Sequence, residues 1–242
     1  MRFLSLYFMD KRKWFLVSAL MACSICQAAY KSGFYVGVNA GGSYDYNKVD
    51  ECDDTGATMS SGKKLEKGNI DGGFCVGCLH RLNDSQLAVA LEHNSDFSFY
   101  SKKWETIEST TNGRFSGKLQ KLYTASFIGK FGCILKEVWF PYALFGISLS
   151  HVKFHCDFDD PAIVGPLDGM ATTRQFLVGL TYGFGIEREI NERWRLGFEI
   201  KNTNYAKKNL TASGETALGT ATNKAKLCLN DLYAGIRISY AL

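Results

Sequence analysis

Residues 176–187, FLVGLTYGFGIE, put Phe176, Val178, Leu180, Tyr182, Phe184 and Ile186 on every second position. Gly179, Thr181, Gly183, Gly185 and Glu187 fall between them. Successive side chains of a strand point to opposite faces, so this segment has one apolar face and one face that is mostly small or charged. The habit recurs along the chain. Phe34, Val36, Val38 and Ala40 alternate with Tyr35, Gly37, Asn39 and Gly41. Ile70 to Cys78, Leu87 to Leu91, Tyr123 to Phe131, Ala143 to Leu149, Trp194 to Ile200 and Leu232 to Leu242 repeat it, which makes eight segments. Twenty-four glycines, three prolines and 14% aromatic residues suit strands better than helices.

The connections between segments are as regular as the segments. Arg81–Ser85, Ile134–Val138 and Glu189–Arg193 are short and carry turn formers such as Asn83, Asp84 and Asn191. Residues 45–67, 98–116, 153–173 and 206–225 are long, polar and read as loops. Short and long alternate without exception, as they do in a membrane barrel with tight turns at one end and long loops at the other. No later stretch is apolar enough for a transmembrane helix, so strands must do any spanning. In lipid every backbone polar group needs a partner within the protein, so such a sheet must close on itself. The expected fold is all-β: an eight-stranded antiparallel up-and-down transmembrane β-barrel, with lipid on the apolar face.

The N-terminus is different. Lys11, Arg12 and Lys13 precede the apolar run WFLVSALMA and the small residue Ala28. This is the tripartite pattern of a secretory signal peptide, expected over residues 1–28, with the barrel over 29–242. The apolar run is short of the ~20 residues that a spanning helix needs. Leu20-Met21-Ala22-Cys23 offers a weaker alternative as a lipoprotein cleavage box. These first 28 residues also hold most of the formal charge of +4. The remainder is nearly neutral, which argues against nucleic acid as a partner.

The stretches GFYVGVNAGGSY (33–44), WFPYALFGISLSH (139–151), GFGIEREINERWRLGFEI (183–200) and LYAGIRISYAL (232–242) resemble the small outer-membrane barrel superfamily. That superfamily includes the opacity-protein adhesins and the transmembrane domain of OmpA-type proteins. The resemblance implies a Gram-negative outer membrane as the location, with outer-membrane lipid and lipopolysaccharide as surroundings. It also implies recognition of the C-terminal strand by the barrel assembly machinery; Leu242 stands where the family usually ends in phenylalanine. No peptidoglycan-binding domain follows the eighth strand, so a cell-wall anchor is not expected.

The lumen of an eight-stranded barrel is just wide enough for side chains to fill it. Glu92, Lys130, Glu199 and Arg237 lie on the inward parity and are expected to form a plugging ion-pair network, since buried charges must be paired. Aromatic residues cluster near both ends of the segments: Phe34, Trp139, Trp194 and Tyr240 at one, Tyr44, Phe97, Phe99 and Tyr205 at the other. Interfacial girdles of this kind flank the apolar band of barrels.

Other constellations are weaker. Cys75 and Cys78 have metal or redox spacing, but in a strand they point to opposite faces. Cys52, Cys156 and Cys228 lie in or beside outer segments of an oxidising compartment and are candidates for a loop disulfide, Cys52 with Cys228 or either with Cys156. His93 and Ser95 share the outward face near the outer end of the third segment. The stretch resembles the His-x-Ser-Asn of barrel esterases acting on lipid A, with aspartate at the fourth position and Glu105 or Glu108 downstream. A polar strand end at the membrane rim accounts for it more simply. His151 and His155, near Cys156, suggest a weak metal site for which solvated residues are the plainer reading. No cofactor is expected.

The functional expectation is a monomeric, non-enzymatic surface protein with a blocked lumen and four outer loops, serving adhesion, contact with host surface molecules, or envelope integrity. Lys63, Lys64, Lys67, Lys102, Lys103, Lys207 and Lys208 put positive charge in or beside those loops, where acidic lipopolysaccharide or glycans could meet them. The alternatives are the lipid A esterase and a small channel.

Overall fold

The computed structural model describes residues 33–52, 58–82, 86–107, 114–136, 138–159, 169–191, 193–216 and 219–242. The signal-peptide and lipoprotein-box readings lie outside these residues. Eleven strands follow in chain order: β1 (Gly33–Cys52), β2 (Thr58–Arg81), β3 (Leu87–Ser98), β4 (Ser101–Ile107), β5 (Arg114–Cys133), β6 (Trp139–Asp159), β7 (Gly169–Glu189), β8 (Trp194–Tyr205), β9 (Lys208–Thr216), β10 (Gly219–Cys228) and β11 (Asn230–Ala241). They make eight staves, because three staves are broken once. β5 pairs with β3 below and β4 above. β1 pairs with β11 below and β10 above. β9 likewise continues β8 after Ala206 and Lys207, and pairs with β10.

The lower section is a closed antiparallel barrel of β1, β2, β3, β5, β6, β7, β8 and β11. Closure runs from Tyr35 opposite Ala241 to Asp45 opposite Asp231. Its turns are tight. Asn191 Oδ1 accepts hydrogen bonds from the backbone N–H of Arg193 and Trp194, at 3.0 and 2.8 Å, in the turn between β7 and β8. Ile70 and Phe145 are 72% and 62% exposed on the outside, while Ser150 and Thr181 are wholly buried within. In water that arrangement would be inside out; in lipid it is the stable one. Trp194 meets Tyr240 edge-on at 5.0 Å, and Arg188 lies over the Trp139 ring at 5.2 Å, at the lower edge of the band.

The outer connections depart from the expectation of loops. Strands run far into all four. β6 has 21 residues, whereas a ~25 Å apolar band crossed at a tilt of 35–45° uses only about ten. The upper halves therefore stand clear of the membrane. There the ladders reorganise into two sheets, β9-β10-β1-β2 and β4-β5-β6-β7. Among the described residues no ladder joins β2 to β4 or β7 to β9. The two sheets enclose Val49, Leu65, Trp104, Leu119, Val152, Phe154, Leu177 and Leu227. So the wall is apolar outside in the membrane and apolar inside above it. The hydrophobic effect, absent between lipid and the lower wall, holds the upper section together as it does a soluble sandwich.

Candidate functional site

Below the cap the interior is layered. Two aromatic rings reach the axis because glycine stands beside them. A Cβ on Gly77 would lie 2.6 Å from the Tyr35 ring, and one on Gly185 would lie 2.5 Å from the Tyr142 ring. Only glycine lets those rings lie flat across the neighbouring strand. Leu79, Ala88, Ala90, Ile128, Phe140 and Leu144 make an apolar floor around them.

The next layer holds the four residues expected from parity, and the structure brings them together. Arg237 binds Glu92 in bidentate fashion, with both N–O distances 2.5 Å. Lys130 donates to Glu92 at 2.9 Å, and Tyr35 donates to it at 2.6 Å. Lys130 lies 3.5 Å from Glu199, which also accepts from the Tyr142 hydroxyl at 3.1 Å. Glu187 joins the cluster, 3.3 Å from Lys130 and 3.4 Å from Arg237. Its inward parity made it readable from sequence, and the expected network omitted it.

Two more layers stand above. Lys201 donates to Asp96 at 2.9 Å, and Asn39 donates to the other oxygen of Asp96 at 3.0 Å. Above the lipid-facing band Lys121 sits between Asp231 and Asp45, at 2.5 and 3.3 Å. A cavity of about 20 Å³ between these layers is bounded by Asp71, Asp96, Lys121, Lys201, Tyr205 and Tyr233, among others. That is room for one water molecule.

Burial pushes the Asp45 carboxyl up to about 7, against the pull of Lys121 and with the help of the nearby Asp231 charge. The folded protein therefore keeps a proton on Asp45 that the unfolded chain releases near the ordinary aspartate value. Stability from this group is present at low pH and is lost as pH rises towards and through 7. The expected result is that thermal unfolding followed by gel mobility occurs at lower temperature at pH 8 than at pH 6. Asp45→Asn should flatten that difference; an unchanged difference in the variant would assign the effect to other groups.

His93 Nε2 and Ser95 Oγ lie 3.2 Å apart on the outward wall. The register places His93 opposite Val76 and Phe127, and its ring packs on Phe127 at 4.8 Å. Asp96 points inward to Lys201, and Glu105 is exposed on β4 opposite Ser116. Glu108 lies outside the described residues. The pair is thus present, and the carboxylates considered for it among the described residues are elsewhere.

The cysteine expectation needs correction where it uses Cys228. Cys228 is a free thiol. The ladder sets it opposite Lys48, while Cys52 is opposite Lys224, four residues further along the strand. That is about 13 Å, beyond the reach of a disulfide, so no Cys52–Cys228 bridge forms. Cys156 is opposite Gly117 and Ala171 on β6, and its side chain and that of Cys52 lie outside the described set. Cys75 is buried in the lumen wall as a free thiol, while Cys78, on the other face, is disulfide-bonded. His151 and His155 are on the outward wall of β6. His151 lies between the Tyr123 and Phe176 rings, and His155 Nδ1 is 2.7 Å from the Thr172 hydroxyl. Among the described residues no group of three or more His, Cys, Asp or Glu side chains could hold a metal ion. Of the lysines singled out, Lys67 donates to the Ser101 carbonyl at 2.8 Å, and Lys64 lies 4.0 Å from Glu66. Lys103, Lys207 and Lys208 are exposed, Lys102 is half-buried, and the Lys63 side chain is outside the described set.

The family described as outer membrane protein beta-barrel domain matches residues 15–226. The outer membrane protein OprG of Pseudomonas aeruginosa is similar at 15% identity and a TM-score of 0.56, over 88% of this chain and 98% of that one. A major outer membrane protein of Thermus thermophilus superposes with a TM-score of 0.47 at 12% identity, over 85% and 99%. The attachment invasion locus protein Ail of Yersinia pestis gives 0.33 at 16%, over 85% and 99%. At these identities OprG supports the fold alone.

Proposed function

The chain belongs to the outer membrane protein β-barrel family and sits in the outer membrane, and from that premise we propose that it is a non-conducting surface protein whose capped upper section makes contact with molecules outside the cell. One observation carries this reading: an apolar floor, three layers of paired charges and an apolar cap fill the same lumen from end to end. A transporter needs a path, and this interior is spent on holding the wall. Stiff extracellular sheets instead offer a scaffold for recognition, where binding residues concentrate.

The reading has two tests. Reconstituted in planar bilayers, the protein should give no stepwise conductance, and a stable open level would reject the sealed lumen. Cells displaying it should adhere to host matrix or glycan surfaces, and trimming the cap by surface proteolysis should abolish the adhesion. Equal adhesion after trimming would move the role to envelope integrity. Assembly through the C-terminal strand and a monomeric state belong to the same proposal.

The His93–Ser95 pair is the observation that favours the esterase alternative. Acyl transfer needs nucleophile, base and orienting acid within reach of one another. Incubation of the purified barrel with lipopolysaccharide should release no fatty acid, and Ser95-dependent release would install the enzyme reading in its place.

A further inference from the structure

The ladders place Tyr123, His151 and Phe176 in one transverse row across β5, β6 and β7, on the outward wall. His151 packs 5.3 Å from the Tyr123 ring and 4.8 Å from the Phe176 ring. This aromatic row is the upper edge of the lipid-facing band. The next outward row is Gln120, Lys153 and Arg174, and the one after it is Lys103, Lys118, His155 and Thr172. Rows on one face are about 7 Å apart, and neighbours within a row about 5 Å. Four permanent cations thus occupy a patch directly above the last lipid-facing rings.

Within that patch Lys153 is opposite Arg174, and Lys103 is opposite Lys118. Like charges directly across a ladder destabilise a sheet. Among the described residues none of the four takes part in an ion pair; Glu105 is exposed at the sheet edge on β4, and the ladder places Asp157 opposite Ser116, one row beyond Lys118 and His155. On the other wall Lys48 is likewise opposite Lys64, but there Lys64 has Glu66 at 4.0 Å. Repulsion of this kind at a fixed height above the acyl chains is relieved by anions held at that height.

We propose that the outward wall of β4–β7 binds the phosphorylated headgroup of an outer-leaflet glycolipid of the lipid A kind. Arg174 presents a planar fork that matches phosphate geometry, and Lys153, Lys118 and Lys103 add point charges around it. The acyl chains of the same lipid lie along Tyr123 and Phe176. This inference rests on the outer-membrane location and is independent of the adhesion reading.

The test is a titration of the detergent-purified protein with diphosphorylated lipid A, followed by native mass spectrometry. Dephosphorylated lipid A and inorganic phosphate serve as comparison ligands. Wild-type protein should bind the diphosphorylated form at least tenfold more tightly than the dephosphorylated one, and millimolar phosphate should not displace it. Lys153→Gln with Arg174→Gln should remove most of that preference, while Lys48→Gln with Lys64→Gln on the other wall should change it less than twofold. Heat-shifted gel mobility confirms that each variant is folded, and the wild-type preference stands as a test without them. The proposal is overturned by equal binding of the two lipids, by equal loss in both double variants, or by displacement with phosphate alone.

Discussion

Glu92→Gln is expected to destabilise the folded barrel by about 3–5 kcal/mol, the cost of removing one partner from a buried ion-pair network. Glu92 is fully buried and neutralises both Arg237 and Lys130. A glutamine there would leave two cations in a water-poor lumen with Glu187 and Glu199 at longer range, 3.3–3.8 Å. Urea unfolding in micelles or the temperature of the gel shift would measure it. Glu92→Leu combined with Arg237→Met should recover much of the loss, because replacing a buried pair by apolar groups is often neutral. A single variant as stable as wild type would show that the lumen admits water to these charges, which would also weaken the sealed-interior reading.

Phe154→Ala should have a comparably large but local effect. Phe154 is 1% exposed and stacks on Trp104 at 5.7 Å, in the core between the two upper sheets. Truncating a buried phenylalanine to alanine costs about 3–5 kcal/mol. Here the lower barrel has its own ladders and its own ion pairs, so the expected outcome is a split. Trypsin applied to whole cells should cut the upper strands of the variant at concentrations that spare wild type, while the heat-modifiable shift of the lower barrel persists. Loss of the shift together with the cap would mean that the two sections fold as one unit.

The lower barrel was legible because one rule, period-two alternation against lipid, governs every strand of it. Its interior charges followed from the same parity, which is why Glu92, Lys130, Glu199 and Arg237 could be named. Lys201, Asp96, Asp45 and Asp231 share that parity but lie near the ends of the expected segments, whereas Lys121 has the outward parity of its segment and is turned inward by a bulge. The sequence reading stopped at those ends because the apolar residues change parity there. In β6 the apolar residues Ala143, Phe145, Ile147 and Leu149 fall on odd positions, then Val152 and Phe154 on even ones. The strand has not ended; it has left the membrane, and the apolar side has changed from outside to inside. Phe176 beside Leu177 in β7 marks the same change. The cross-strand partners of His93, and the separation of Cys52 from Cys228, depend on register between distant segments, which one chain's pattern does not reveal.

That switch has a bearing on how the chain can vary. Going upward, β6 makes it by exchanging residue types, whereas β5 makes it with one surplus residue, Leu122, between Lys121 and Tyr123. The bulge turns Leu119 inward although it shares odd numbering with the lipid-facing Phe127 and Phe131. Deleting Leu122 would rotate everything above it by half a period, casting Leu119 into solvent and Lys118 into the cap. Length changes near the bilayer surface are thus tolerable in pairs and ruinous singly, and the outer edge of the membrane is recorded in the chain as an odd–even boundary.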